Sequence, residues 1–222
     1  MALLHGWLTR RSAPQVNSAT VDGTTPLSEA CARGHKTCVS LLLQHGATPL
    51  GPAGHFCSPL HRAAAEGHLE CVVALVEHGA DVDQHAEHSG TPLCAAVANQ
   101  HLNTARKLLQ LRASANSSVD GESLLHTAAR LSNPELVSVL LDHGADGSAR
   151  NLQGKRPVDL APPNSLVQRM LGASRGIPIP CLKQLCRLRI RRTVDKERLD
   201  GVSALLIPIE LKDYLLYRTG TV

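Results

Sequence analysis

The sequence predicts an all-α solenoid, a stack of helix-turn-helix units with short β-like fingers, followed by a separate three-helix module. Three observations carry this prediction. Pro26-Leu27, Pro59-Leu60 and Pro92-Leu93 recur at steps of 33 residues, Leu124-Leu125 follows 32 later, and Pro157-Val158 another 33. A fixed period of this length is the mark of a repeat array. Aromatic residues make up 2% of the chain against 43% hydrophobic residues, so the core must be filled by Leu, Val and Ala at close helix contacts. A sandwich or barrel would lean on Tyr, Phe and β-branched residues. Within each unit the apolar residues fall at i, i+3, i+4 spacing, which is one face of a helix.

Each element of the unit has a local cause. Thr25, Ser58 and Thr91 stand as N-caps before Pro26, Pro59 and Pro92, where a ring-fixed φ suits the first helical turn and the missing N–H costs nothing. The first helices are expected to bury Leu27/Ala30/Cys31, Leu60/Ala63/Ala64, Leu93/Ala96/Val97 and Leu125/Ala128/Ala129. The second helices are expected to bury Val39/Leu42/Leu43, Val72/Leu75/Val76, Ala105/Leu108/Leu109 and Val137/Leu140/Leu141. Gly34 and Gly67 turn the chain between helices, and Gly46, Gly79 and Gly144 end the second helix in the left-handed conformation. Extended fingers such as 81–89 lead into the next unit. Segments such as SPLHRAAAEGHLECVVALVEHGADVDQ closely resemble the ankyrin repeat, and the resemblance covers residues 12–172.

The departures are informative too. Arg112 stands where the period calls for Gly, so the third unit either changes its turn or carries strain of roughly 1 kcal/mol. Leu124 replaces the helix-starting Pro, and the Pro/Gly-rich stretch 48–55 (TPLGPAGH) is expected to form an irregular finger. Leu166 aligns with Leu136 after 30 residues rather than 33, which predicts a shortened, capping fifth unit. Ala13–Asn17 aligns with Gly79–Asp83, so residues 1–21 read as the tail of a repeat whose first helix is missing. A stack that starts this way exposes an apolar edge. The resulting division is a partial repeat over 1–21, ankyrin units over 22–172, a linker over 173–177 and a helical module over 178–218.

Composition excludes several classes. Seven cysteines is an odd count, the N-terminal MALLHGWLTRR lacks the order of a secretory signal, and no run approaches the length of a membrane-spanning helix. These features predict an intracellular, most simply cytoplasmic, protein with reduced thiols and no membrane partner. The twelve His and seven Cys invite a metal, but most fall on repeat positions, among them His61/His126, His68/His101 and Cys38/Cys71. One repeat of about 10 Å separates them, and no CxxC or HxxxH spacing occurs, so no metal and no cofactor is expected. No GxSxG, P-loop or GxGxxG is present, and no catalytic residue is assigned. The chain reads as a non-catalytic protein.

Charge is uneven. Residues 1–172 hold 13 Lys and Arg against 14 Asp and Glu, whereas residues 173–222 hold 10 against 5. Arg187, Arg189, Arg191 and Arg192 lack interleaved aromatics, so they read as a solvated helix face and no nucleic-acid partner is expected. Three short helices are expected over 182–192, 196–206 and 210–218. Leu182, Leu185, Cys186 and Ile190 make an apolar stripe. About forty residues with so much apolar surface cannot close a core alone and need a neighbour.

Here the resemblance becomes specific. PCLKQLCRLRI, residues 180–190, resembles the elongin-binding box of a SOCS box, with Leu182, Cys186 and Ile190 meeting its pattern of Leu, Cys and an aliphatic residue at four-residue steps. LIPIELKDYLLY, residues 206–217, resembles its cullin-5-contacting end, although Glu210 stands where a second Pro is usual. Ankyrin repeats followed by a SOCS box identify the chain as a member of the ankyrin repeat and SOCS box family, and LQGKRPVDLAPPNS with QLCRLRIRR suggests its short-member subgroup. The resemblance implies partners: elongin C and elongin B through Leu182, Leu185, Cys186 and Ile190, and cullin-5 with its RING subunit through Ile207, Pro208, Ile209 and Leu211. It implies the role of substrate-recognition subunit of a ubiquitin ligase, the repeats holding an unidentified protein substrate for ubiquitination and degradation. Six of the 23 basic residues are Lys, which limits self-modification. The alternative is an ankyrin adaptor or inhibitor that acts by occupying its partner without recruiting a ligase.

Substrate contacts are expected on the finger tips and on the outward positions of the first helices. Glu29, Arg62 and Thr127 form one row, and Arg33, Glu66 and Asn99 another. Asp81, Asp83, His85, Asn116 and Asp120 represent the fingers. Both rows mix charge, so no strongly charged partner surface is expected.

Overall fold

A computed structural model describes residues 16–21, 23–50 and 58–173. Within these residues five helix pairs follow one another: α1 (Pro26–Ala32) and α2 (Lys36–Gln44), α3 (Pro59–Ala65) and α4 (Leu69–Glu77), α5 (Pro92–Ala98) and α6 (Leu102–Gln110), α7 (Leu124–Arg130) and α8 (Pro134–Asp142), α9 (Pro157–Leu160) and α10 (Leu166–Ala173). First helices pack on first helices and second on second, so each unit touches its neighbours in sequence. Between α6 and α7 lies a two-stranded antiparallel hairpin, β1 (Ser118–Val119) and β2 (Glu122–Ser123).

The caps act as expected at α1 and α3. Thr25 Oγ1 accepts the Ser28 N–H at 3.1 Å while the Thr25 N–H reaches Ser28 Oγ at 2.8 Å, a reciprocal pair that satisfies two orphan donors. Ser58 Oγ accepts the His61 N–H at 3.4 Å. Thr91 departs from expectation, since its hydroxyl is engaged with Cys94 Sγ at 3.3 Å and no backbone cap forms. At α8, Asn133 Oδ1 accepts the Leu136 N–H at 3.1 Å.

Fully buried Leu27, Leu60, Leu93 and Leu125 run through the first helices, and Ala63, Ala64, Ala96, Ala128 and Ala129 between them allow close approach. In the second helices two expectations fail: Val76 and Leu141 are half-buried, packed on the edge of the core. In α4 the buried set is Cys71, Val72, Ala74 and Leu75, and in α8 it is Leu136, Val137, Val139 and Leu140, whereas α2 and α6 keep the expected triplets inside.

Arg112 keeps the turn that its glycine counterparts make. Its φ is 77°, beside 86°, 89° and 86° at Gly46, Gly79 and Gly144. The hydrogen bonds are the same as well: the Arg112 N–H to the Leu109 carbonyl at 3.1 Å and the Ala113 N–H to the Leu108 carbonyl at 2.9 Å match the Gly79 and Ala80 bonds to Val76 and Leu75, both 3.0 Å. Of the two outcomes the sequence allows, the fold takes strain over a changed turn, as it does at the interhelix turns, where Gln100 (φ 60°) and Ser132 (φ 55°) replace Gly34 and Gly67. Neighbouring units over-determine the backbone, so the array tolerates a cost of about 1 kcal/mol at single sites. Leu124 starts α7 without a proline, because Ser123 holds His126 instead.

Among the described residues no helix is long and apolar enough to cross a membrane. The expected elongin residues Leu182, Leu185, Cys186 and Ile190 and the expected cullin residues Ile207, Pro208, Ile209 and Leu211 lie outside the described residues, as do residues 1–15 of the partial repeat and 51–57 of the irregular finger.

Candidate functional site

Two buried histidines bolt units together. The His61 ring is 2% exposed; one nitrogen, Nδ1, lies 2.8 Å from Ser58 Oγ and the other, Nε2, 2.9 Å from the Gly90 carbonyl of the next finger. A carbonyl can only accept, so Nε2 carries the hydrogen and Nδ1 accepts from the serine hydroxyl. Burial pushes the His61 pKa below its usual 6.5, against a smaller upward pull from the Gly90 carbonyl. His126 repeats the arrangement with Ser123 Oγ at 2.7 Å and the Lys155 carbonyl at 2.9 Å. The corresponding residues of the other units are Ser28, which bonds back to Thr25, and Cys94, which bonds to Thr91. Neither reaches forward among the described residues, and the two histidines serve structure.

A second set of staples runs along the fingers and claims two residues expected to touch substrate. Asn17 donates to the Gly46 carbonyl at 3.1 Å and accepts the Thr48 N–H at 2.8 Å. Asn116 does the same three units on, with the Gly144 carbonyl at 3.1 Å and the Asp146 N–H at 2.8 Å. Asp83 accepts the Ser114 N–H at 2.9 Å. Asp83 and Asn116 therefore have their side chains turned along the stack. At the remaining position of this row stands Leu50, 48% exposed, which offers no polar side chain.

The other expected substrate residues divide. Glu29 and Arg33 form an exposed i, i+4 ion pair at 2.7 Å, and Arg62 is half-buried with a guanidinium N–H reaching Thr24 Oγ1 at 3.5 Å. Glu66, Asp81 and His85 are exposed; Asp81 Oδ1 accepts the Asp83 N–H at 3.0 Å. Asn99 and Asp120 alone among the ten line one shared groove of about 660 Å³.

That groove runs across the first helices of units two to four, beneath the fingers between them. Its floor is made of Ala65, Ala95, Ala98 and Thr127, with Val119 and Leu124 as apolar walls. The rows of outward positions explain the floor. Where other units carry Glu29 and Arg62, unit three carries Ala95, and where unit four carries Arg130, units two and three carry Ala65 and Ala98. Small side chains there leave an open trough.

The rim is built by the β1–β2 hairpin. Asp120 (φ 50°) and Gly121 (φ 76°) both take positive φ between Val119 and Glu122, the two-residue turn that suits the twist of paired strands. Glu122 pairs with Arg130 across the groove end. The Asp120 carboxylate, at the hairpin tip, makes no hydrogen bond or ion pair among the described residues. Val119 and Glu122 belong to the finger 114–122 expected to take part in substrate contact, whereas Arg130 was not singled out by sequence, although the Asp120-Gly121 dipeptide is a strong hairpin signal.

A model described as ankyrin repeats (3 copies) matches residues 2–86 and 60–151, and a SOCS box model matches residues 178–216. Human ankyrin repeat and SOCS box protein 9 is 43% identical over 112 residues, 50% of this chain and 37% of the relative. Human ankyrin repeat and SOCS box protein 11 is 40% identical over 113 residues, and bovine ankyrin repeat and SOCS box protein 5 is 42% identical over 113 residues; both matches cover 51% of this chain and 34% of the relative. The matched stretch thus spans little more than a third of each curated relative. The crystal structure of the human ASB11 ankyrin repeat domain is similar with a TM-score of 0.69 at 40% identity, covering 73% of each chain. With ankyrin units stacked as described and a SOCS box match behind them, the chain belongs to the ankyrin repeat and SOCS box family.

Proposed function

We propose that the chain is the substrate-recognition subunit of an elongin B/C–cullin-5 type RING ubiquitin ligase, and that its own part in the reaction is positioning rather than chemistry. The single observation that carries this reading is the SOCS box match over residues 178–216, placed directly after the ankyrin units. Leu182, Leu185, Cys186 and Ile190 form the apolar stripe that enters an elongin C groove, and elongin B follows. Ile207, Pro208, Ile209 and Leu211 face cullin-5 and its RING subunit. The ankyrin stack holds a protein substrate so that one of its lysines meets the ubiquitin-charged enzyme; holding reactants in place converts an encounter into an effectively unimolecular step. The site of action is intracellular, most simply the cytoplasm.

Co-expression with elongin B and elongin C tests the reading. The full chain is expected to purify as a stoichiometric ternary complex, and Leu182→Asp combined with Cys186→Asp is expected to abolish it, because two buried apolar anchors become charged. A chain that is soluble and monomeric alone and ignores both elongins refutes the ligase role and leaves the passive adaptor. Adding cullin-5 to the ternary complex then tests the Ile207–Leu211 contacts separately.

A further inference from the structure

We propose that the groove across units two to four takes an extended, basic protein segment with small side chains, a Lys or Arg of that segment pairing with Asp120. The proposal deepens the substrate-receptor reading and rests on it, since it states what kind of substrate segment the stack holds.

Three features point to this occupant. The floor of Ala65, Ala95, Ala98 and Thr127 lies between the Val119 and Leu124 walls, and such short side chains let an extended backbone lie close against the first helices. An extended chain places alternate side chains on opposite faces, so a backbone lying close on this floor turns small residues down to it and longer ones out to the rim. The charge at the rim is not balanced. Among the charged residues lining the groove, Glu122 is matched by Arg130, which leaves Asp120 as a carboxylate with no counterpart among the described residues. Just beyond the Ala65 end, Glu66 is a second exposed carboxylate with no ion pair among the described residues. An unpaired acid beside an apolar surface favours a cationic partner.

The position of the groove has a structural cause as well. At the seam between units three and four, Cys94 replaces the bolting histidine and bonds within its own unit. The following finger is therefore not drawn onto α5 by a ring, as it is at His61 and His126. The hairpin stands over the seam instead, with Val119 against Gly90, so close that a Cβ at Gly90 would lie 2.3 Å from Val119 Cγ2. Asp120 is carried to the rim by that arrangement.

Fluorescence anisotropy on the full chain tests the proposal with three labelled twelve-residue peptides. One alternates Lys with Ala and Ser, one replaces each Lys by Glu, and one keeps Lys but replaces Ala and Ser by Leu. The first is expected to bind, the acidic peptide to show no binding, and the Leu peptide to bind more weakly than the first. Asp120→Asn should weaken the basic peptide roughly three- to tenfold, the range of one partly desolvated charge pair, and the effect should fade as salt rises. Asn tolerates positive φ at least as well as Asp, so the hairpin is retained. Ala98→Gln fills the floor from an exposed helical position and should weaken binding without touching charge. Glu135→Gln removes an exposed acid on α8, away from the groove, and should leave binding unchanged. Equal binding of the acidic peptide, no binding of the basic one, preference for the Leu peptide, or indifference to both Asp120→Asn and Ala98→Gln each overturns the proposal. So does self-association through the groove that the basic peptide fails to displace. Elongin binding measured on the same proteins separates the two ideas: loss of peptide with elongins retained condemns the groove alone, and the reverse condemns the ligase role alone.

Discussion

Replacing His61 tests whether the ring is a bolt between units or a mere core filler. In the folded chain it is 2% exposed and joins Ser58, on its own helix start, to the Gly90 carbonyl of the next finger. His61→Ala removes two neutral hydrogen bonds, each contributing about 1 kcal/mol net, and leaves a void where the imidazole packed. The Gly90 carbonyl keeps its bond from the Ala86 N–H at 2.8 Å, so it is not orphaned and the loss stays moderate. A destabilisation of about 2–4 kcal/mol is expected. His61→Gln retains a donor for Gly90 and should cost about 1 kcal/mol. The pH dependence has a definite sign. Burial holds the folded pKa of His61 below its usual 6.5, so the neutral ring is the form the fold prefers. Its contribution is complete above that unfolded value and is lost as pH falls toward and through the folded one. Urea unfolding followed by circular dichroism at pH 7.5 and at pH 5.5 reads both effects. The stability gap between wild type and His61→Gln should narrow at the lower pH. A cost below about 0.5 kcal/mol for His61→Ala, or a gap independent of pH, would refute the bolt.

Two further predictions, with three substitutions, follow from the periodicity of the units. Leu50→Asn places the missing staple in the row of Asn17, Asp83 and Asn116, opposite the Gly79 carbonyl and the Asp81 N–H, and should raise stability by about 0.5–1 kcal/mol in the same unfolding assay. Gly34→Ala and Gly46→Ala share a positive φ, 69° and 86°, but a Cβ at Gly34 would lie 2.5 Å from His68 Nδ1 whereas one at Gly46 meets nothing within 4 Å. Gly46→Ala should therefore cost about 1 kcal/mol from backbone strain alone, and Gly34→Ala about 1–3 kcal/mol more, as the His68 ring is displaced from the Ala32 carbonyl. Equal costs at the two glycines would contradict the close packing of His68.

The sequence by itself determined the architecture. A 33-residue period, Thr or Ser before Pro at helix starts and apolar triplets at i, i+3, i+4 act through short-range sterics and burial, which are local to each unit and repeat with it. That is why Leu27, Leu60, Leu93 and Leu125 were legible as one buried column. The tertiary structure alone decided how units are fastened and where they leave room. His61 and His126 are recognisable in sequence as a repeated pair, but their bonds to Gly90 and Lys155 span 29 residues and depend on the next finger's path. Asp83 and Asn116 look like exposed finger residues in sequence, and become staples because a neighbouring backbone arrives opposite them. Arg112 could have changed its turn; the neighbours on both sides held φ at 77° instead. Asn99 reads as a member of a helix row and Asp120 as a finger residue, and they meet in one groove because Ala95 and Ala98 leave the floor open while an Asp-Gly turn lifts the carboxylate over it. Period and pattern belong to a single unit, whereas a groove belongs to the differences between units, and those differences act only once the units are stacked.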